Sequence, residues 1–121
     1  MKTAAGMQCH GVGGLDRWLL FYNPIFSAAQ RTMLSTLVNG ATLLIARKDK
    51  LTQDLPGVLR VMRVDALGIT PSALAALPES SLEGVKRVVM VGEAVSSRVV
   101  DRWASKVALF NTYGLSECAQ L

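Results

Sequence analysis

Between residues 17 and 111, short apolar runs alternate with segments in which apolar positions return every three or four residues. The runs "RWLLFY" (17–22), "ATLLIA" (41–46), "DALGI" (65–69), "KRVVMV" (86–91) and "VALFN" (107–111) have the length of strands. They lack the strict alternation of a strand with one wet face, so they predict strands covered on both sides. Four helices are predicted between them. Over 28–38 the period puts Ala29, Met33, Leu34 and Leu37 on one stripe, and over 55–64 it does the same with Leu55, Leu59 and Met62. Pro71 suits the first turn of a short helix running through Leu77 behind a Thr70 cap, and Ser96 caps a helix over 97–105. The order βαβαβαβαβ predicts an α/β fold of three layers, with a mostly parallel sheet of about five strands and right-handed crossovers. Residues 1–14, "MKTAAGMQCHGVGG", hold four glycines and no sustained period, and read as a lead-in loop before a single unit over 15–121.

Composition narrows the function classes. Half of the 121 residues are hydrophobic, only 18% are charged, and the mean hydropathy is +0.32. That suffices for a substantial core and leaves apolar surface for a partner domain. The net charge of +4 comes from basic residues that are scattered, apart from "RKDK" at 47–50, which reads as a solvated turn, so no nucleic-acid partner is expected. Cys9 and Cys118 with the single histidine, His10, form neither a disulfide framework nor a metal-ligand set; reduced thiols and a solvated loop histidine are expected. No signal core and no uncharged apolar run of spanning length is seen, so the expected location is cytoplasmic with no membrane partner.

Ligands of open parallel sheets bind outside the carboxyl ends of the strands. The unusual residues fall there. "NPIFS" with Ser27 comes after the first predicted strand, "GITPS" with Gly68 and Thr70 ends the third, "GEA" (92–94) comes after the fourth, and "TYGLSE" (112–117) after the fifth. In the last of these, Gly114 allows a tight turn, Ser116 offers a hydroxyl, and Glu117 offers a carboxylate able to hold Mg²⁺ beside a phosphate. Tyr113 could stack on a base; equally, the stretch could be a plain strand-to-helix turn with a tyrosine packed beneath it. Gly92 either lets backbone approach a ligand or merely ends a strand, and Ser27 is either a substrate contact or a helix N-cap.

These stretches resemble the adenylate-forming, AMP-binding enzymes, and within them the adenylation domains of nonribosomal peptide synthetases. "NTYGLSE" is similar to that family's Asn-x-Tyr-Gly-Pro-Thr-Glu motif, and "GEAVSSRVVDRW" to the Gly-Gly-Glu-Ala…Trp helix before it. "DRWLLFYNPIFSAAQ" resembles the stretch around Phe-Asp-x-Ser that opens the substrate pocket, and "NGATLLIARKD" the strand that comes next. "SEC" after "YGL" looks closest to fungal synthetases, although a leucine there also occurs in acyl-CoA ligases. The resemblance covers residues 16–121 in order. It implies a flavodoxin-like subdomain of an enzyme that activates a carboxylic acid with Mg·ATP to an acyl-adenylate. The acyl group then passes to the phosphopantetheine thiol of a partner carrier protein.

Residue by residue, the resemblance implies that Tyr113 and Gly114 meet the adenine and that Asn111 and the Gly92, Glu93, Ala94 backbone border it. Ser116 would touch phosphate and Glu117 would bind Mg²⁺, these two being the catalytic pair. The acid pocket would be lined by Ser27, Ala28, Arg31, Gly68, Val89, Val91, Thr112, Gln120 and Leu121. Two departures stand out. Ser27 occupies the place where amino-acid-activating relatives hold the substrate ammonium with an aspartate, and Leu115 replaces a usual proline. The family's Gly/Ser/Thr-rich phosphate loop with its lysine, its ribose-binding aspartate and its lid lysine do not occur in the chain. The remaining parts of an adenylation domain are therefore expected partners, and the chain alone is expected to be inactive. A stand-alone degenerate flavodoxin-like binding module and a fragment of an acyl-CoA ligase are the alternatives.

Overall fold

The computed structural model describes residues 16–112. Five strands form one parallel sheet: β1 (Arg17–Leu19), β2 (Thr42–Leu44), β3 (Ala66–Ile69), β4 (Arg87–Met90) and β5 (Ala108–Asn111). Five α-helices join them: α1 (Ser27–Val38), α2 (Lys48–Gln53), α3 (Leu55–Val61), α4 (Pro71–Ala75) and α5 (Ser97–Trp103). A 3₁₀ turn (Glu79–Leu82) precedes β4. The spatial strand order is β2-β1-β3-β4-β5, so the chain steps outward once, returns past β1, and then runs steadily to the other edge.

Alternate strand residues bury on opposite faces, which is why the apolar runs are continuous. Leu19, Leu67, Ile69, Val88 and Met90 join Leu55, Leu59, Leu74, Leu77, Val99 and Trp103 in the main core, beneath α3, α4 and α5. Trp18, Ala66 and Val89 turn to the other face and form a smaller cluster with Ala41 and Phe110, where α1 lies. Among the described helices, α1 lies on this face and α3, α4 and α5 cover the other, where α2 adds only the half-buried Leu51.

Caps are as the sequence predicts at two helices: the Thr70 hydroxyl accepts from the Ala73 N–H at 3.3 Å and the Ser96 hydroxyl from the Val99 N–H at 3.4 Å. The Asp54 side chain caps α3 on the Gly57 N–H at 3.1 Å. Three expectations are corrected. "RKDK" is not a turn, because Arg47 is the extended cap of α2; that helix buries no residue and so has no apolar stripe to betray it. The predicted helix ends at 64, 77 and 105 retreat to Val61, Ala75 and Trp103. The stripe of α1 is the third: Ala29, Ser35 and Thr36 are buried, whereas Leu34 and Leu37 are exposed. With Val38, Ile25 and Phe26 they make the apolar surface that the composition led one to expect.

Charged groups gather at the amino ends of the strands. Asp16 pairs with Arg87, and the Asp65 carboxylate accepts the Arg17 backbone N–H at 2.9 Å and lies 3.7 Å from the Lys86 ammonium. The Arg17 guanidinium donates to the Met62 carbonyl. This clamp holds β1, β3 and β4 in register at one end and leaves the other end to the loops.

Candidate functional site

Strand order reverses between β1 and β3, and in such sheets the crevice at the carboxyl ends of those strands is the usual ligand position. A small cavity of about 30 Å³ lies there, between α1 and the sheet. From α1 it is lined by Ala28, Arg31, Thr32 and Ser35, which share one helix face through the spacing i, i+3, i+4, i+7. Gly68 on β3, Val89 on β4, Val91 just past it and Thr112 just past β5 form the floor, and Trp18 and Tyr22 complete the wall. Thr112 is anchored by its backbone N–H on the Met90 carbonyl at 2.9 Å.

Six residues of the acid pocket implied by resemblance thus line one cavity: Ala28, Arg31, Gly68, Val89, Val91 and Thr112. Ser27 is not among its lining residues and is exposed. Nor is Ser27 the N-cap: it is the first helical residue, and the extended residue before it is Phe26, which makes no side-chain cap bond. Gln120 and Leu121 lie outside the described residues, as do Tyr113, Gly114, Ser116 and Glu117.

Gly92, Glu93 and Ala94 form an exposed turn beyond β4. Gly92 has φ +98°, a left-handed conformation that side chains other than glycine rarely take. The Ser72 hydroxyl, in the first turn of α4, donates to the Glu93 carboxylate and ties the turn down. Asn111, opposite Met90 in the β4/β5 register, lines an open cleft of about 430 Å³ with Met90, Val95, Ser96 and Val100. Among the described residues no group of three or more His, Cys, Asp or Glu could hold a metal ion; Glu117 is the implied Mg²⁺ ligand.

Sequence reasoning missed Trp18, Tyr22, Thr32 and Ser35. A polar face at helical spacing in α1 was the available signal for two of them. The other two depend on the pleat of β1 and on the path of the chain just beyond it. Burial pushes the Tyr22 phenol above its usual range, with a smaller push from the nearby Glu93 carboxylate, so it stays a protonated donor. Gly68 makes room for this ring, since a Cβ there would stand 3.1 Å from Tyr22 Cε2. Gly68→Val is therefore expected to destabilise the fold by about 1–3 kcal/mol through overpacking. In urea unfolding a Tyr22→Ala partner should recover part of that loss; strictly additive costs would show that the ring and the glycine are not coupled.

The topology and the cavity define an α/β ligand-binding unit of the doubly wound type. Its relatives narrow that class. The model of the AMP-binding enzyme family matches residues 1–121, so the chain belongs to the AMP-binding enzymes. It is 53% identical over 117 residues to the nonribosomal peptide synthetase sidE of Aspergillus fumigatus, covering 96% of this chain and 6% of that protein. The chain thus spans a small part of the curated relatives it matches. Among solved structures it superposes on Escherichia coli MenE with bound OSB-AMS with a TM-score of 0.81 at 24% identity, over 97% of this chain and 26% of that one. It superposes also on holo-PA1221, a synthetase protein with adenylation and PCP domains bound to a vinylsulfonamide inhibitor. There the TM-score is 0.73 at 25% identity, over 88% of this chain and 20% of that one. No described helix is long and apolar enough to cross a membrane.

Proposed function

We propose that the chain supplies the acid pocket and part of the adenine and metal site of a ligase that activates a carboxylic acid with Mg·ATP to an acyl-adenylate. The acyl group is then transferred to the phosphopantetheine thiol of a carrier protein. One observation carries this reading: a small cavity at the β1/β3 reversal, lined by six of the positions that the resemblance assigns to the acid pocket, lies beside the exposed Gly92 turn. Bound Mg·ATP would supply the electrophilic phosphorus and the charge that stabilises the leaving pyrophosphate.

The chain's own residues divide the work. Gly92–Ala94, held by Ser72, and Asn111 border the adenine, with Tyr113 stacking on it. Ser116 would donate to phosphate and Glu117 would hold the metal. The wall from Ala28 to Thr112 fixes the acid so that its carboxylate faces the nucleotide, and such positioning can remove much of the barrier to a two-substrate reaction. The Leu19 and Ile69 side of the sheet is fully buried, which keeps these strands rigid behind the cavity.

Acid-dependent exchange of pyrophosphate into ATP tests the reading. The chain by itself is expected to show none, because it contains no Gly/Ser/Thr-rich phosphate loop and no lid lysine. A longer polypeptide that joins these residues to such a loop and lid is expected to exchange. Exchange by the pure isolated chain, or none from the longer polypeptide with any carboxylic acid, would count against the proposal.

A further inference from the structure

Three buried donors in the cavity wall have no partner among the described residues: Trp18 Nε1, Tyr22 Oη and one terminal nitrogen of Arg31. Such groups are uncommon, because a donor shut away from water without an acceptor costs on the order of 1–3 kcal/mol and more when charged. Trp18 is 4% exposed, so water does not serve it from outside. Arg31 makes no hydrogen bond or ion pair with any described residue. The cavity wall offers no carboxylate to it, and Glu93, the acid nearest Tyr22, is engaged by Ser72.

We infer that Arg31, Trp18 and Tyr22 form a donor set that receives a second carboxylate on the acid, so that the substrate is a short dicarboxylic acid. This rests on the proposed function, in which the cavity is the acid pocket. The chemistry favours a carboxylate over other acceptors. A guanidinium keeps its charge at every working pH and is not balanced by a keto or hydroxyl oxygen, whereas a carboxylate brings a full negative charge and about four lone-pair sites. Tyr22 and Trp18, neutral donors, can take the sites that Arg31 leaves. A single water could occupy the space of about 30 Å³ but would leave the cation uncompensated. The same small volume admits one compact group and excludes a long spacer. The first carboxylate is left to face the Gly92 turn and the nucleotide.

The two tryptophans of the chain make the test internal. Trp103 lies in the core on the opposite face of the sheet, so its indole N–H reports the fold while that of Trp18 reports the cavity. The ¹⁵N-labelled chain is titrated with succinate, with butyrate, and with succinamate, in which the far carboxylate is a neutral amide. Succinate is expected to shift the Trp18 indole resonance saturably, with an apparent affinity at least about tenfold above the other two, and to leave Trp103 unmoved. Arg31→Gln should abolish that preference and Arg31→Lys should retain part of it. If Arg31→Gln disturbs the Trp103 resonance, the lysine variant carries the comparison. No saturable Trp18 shift with succinate, an equal response to butyrate, or equal shifts of both indoles overturns the inference. Failure of the proposed function looks different: it is exchange by the isolated chain, or the absence of exchange from the longer polypeptide with any carboxylic acid.

Discussion

Trp103→Ala is expected to lower the stability of the fold by about 3–5 kcal/mol, the largest effect of any single truncation in the described residues. Trp103 is fully buried and heads the largest buried side chains, at the end of α5 in the same core as Leu74, Val88 and Met90. Truncation removes that apolar area and leaves a cavity that the surrounding parallel sheet cannot collapse to fill. The loss extends beyond the ring. The neighbouring Arg102 guanidinium lies 5.2 Å from the ring centroid and donates to the Ala75 and Leu77 carbonyls at 3.1 and 2.8 Å, fastening α5 to the end of α4. Domains of this size have total stabilities of only about 5–15 kcal/mol, so the variant should be close to unfolded at room temperature. Trp103→Phe should cost far less, since it keeps most of the ring and removes an indole N–H that has no partner among the described residues. Urea denaturation of the three proteins decides the matter, with Val61→Ala at a position 78% exposed as a control near zero. An alanine variant within about 1 kcal/mol of the wild type would mean that the core does not rest on this residue.

The strands were legible because burial on both faces leaves continuous apolar runs, and two of the helices announced their starts through Thr70 and Ser96. The facing of α1 was not legible. Its strongest apolar period, Leu34 and Leu37, points to solvent, while Ser35 and Thr36 face the sheet. A periodicity argument assumes that the most apolar face meets the nearest core, and here the core-side face is the polar one that lines a cavity. Helix α2 escaped notice for the opposite reason, since it has no fully buried residue and only the half-buried Leu51 packs against the core. Candidate residues on loops were named from motifs, because turn chemistry is local. Trp18, Tyr22, Thr32 and Ser35 were not, because only the pleat of β1 and the pitch of α1 bring them together.

The same cavity predicts which acids the longer polypeptide rejects. An α-amino acid carries an ammonium that needs a counter-charge, for which the resemblance implies an aspartate in amino-acid-activating members, and the described wall contains no aspartate or glutamate. Ser27, at the aligned place, is neutral and stands outside the cavity. The one charged side chain in the wall, Arg31, has the same sign as the ammonium. Leaving a buried charge without its partner typically costs about 3–5 kcal/mol, which corresponds to a selectivity of 10²-fold or more against the amino acid. The expected profile of pyrophosphate exchange is therefore an α-hydroxy, α-keto or other ammonium-free acid well above the matching α-amino acid. Ser27→Asp sharpens the test through helix geometry. Residues 27 and 31 are four apart on α1, so the new carboxylate would sit on the Arg31 side of the helix and offset its charge. Discrimination against the ammonium should then shrink in the variant. A wild-type preference for an ordinary α-amino acid over its hydroxy and keto analogues would show that the charge of this wall does not govern selection.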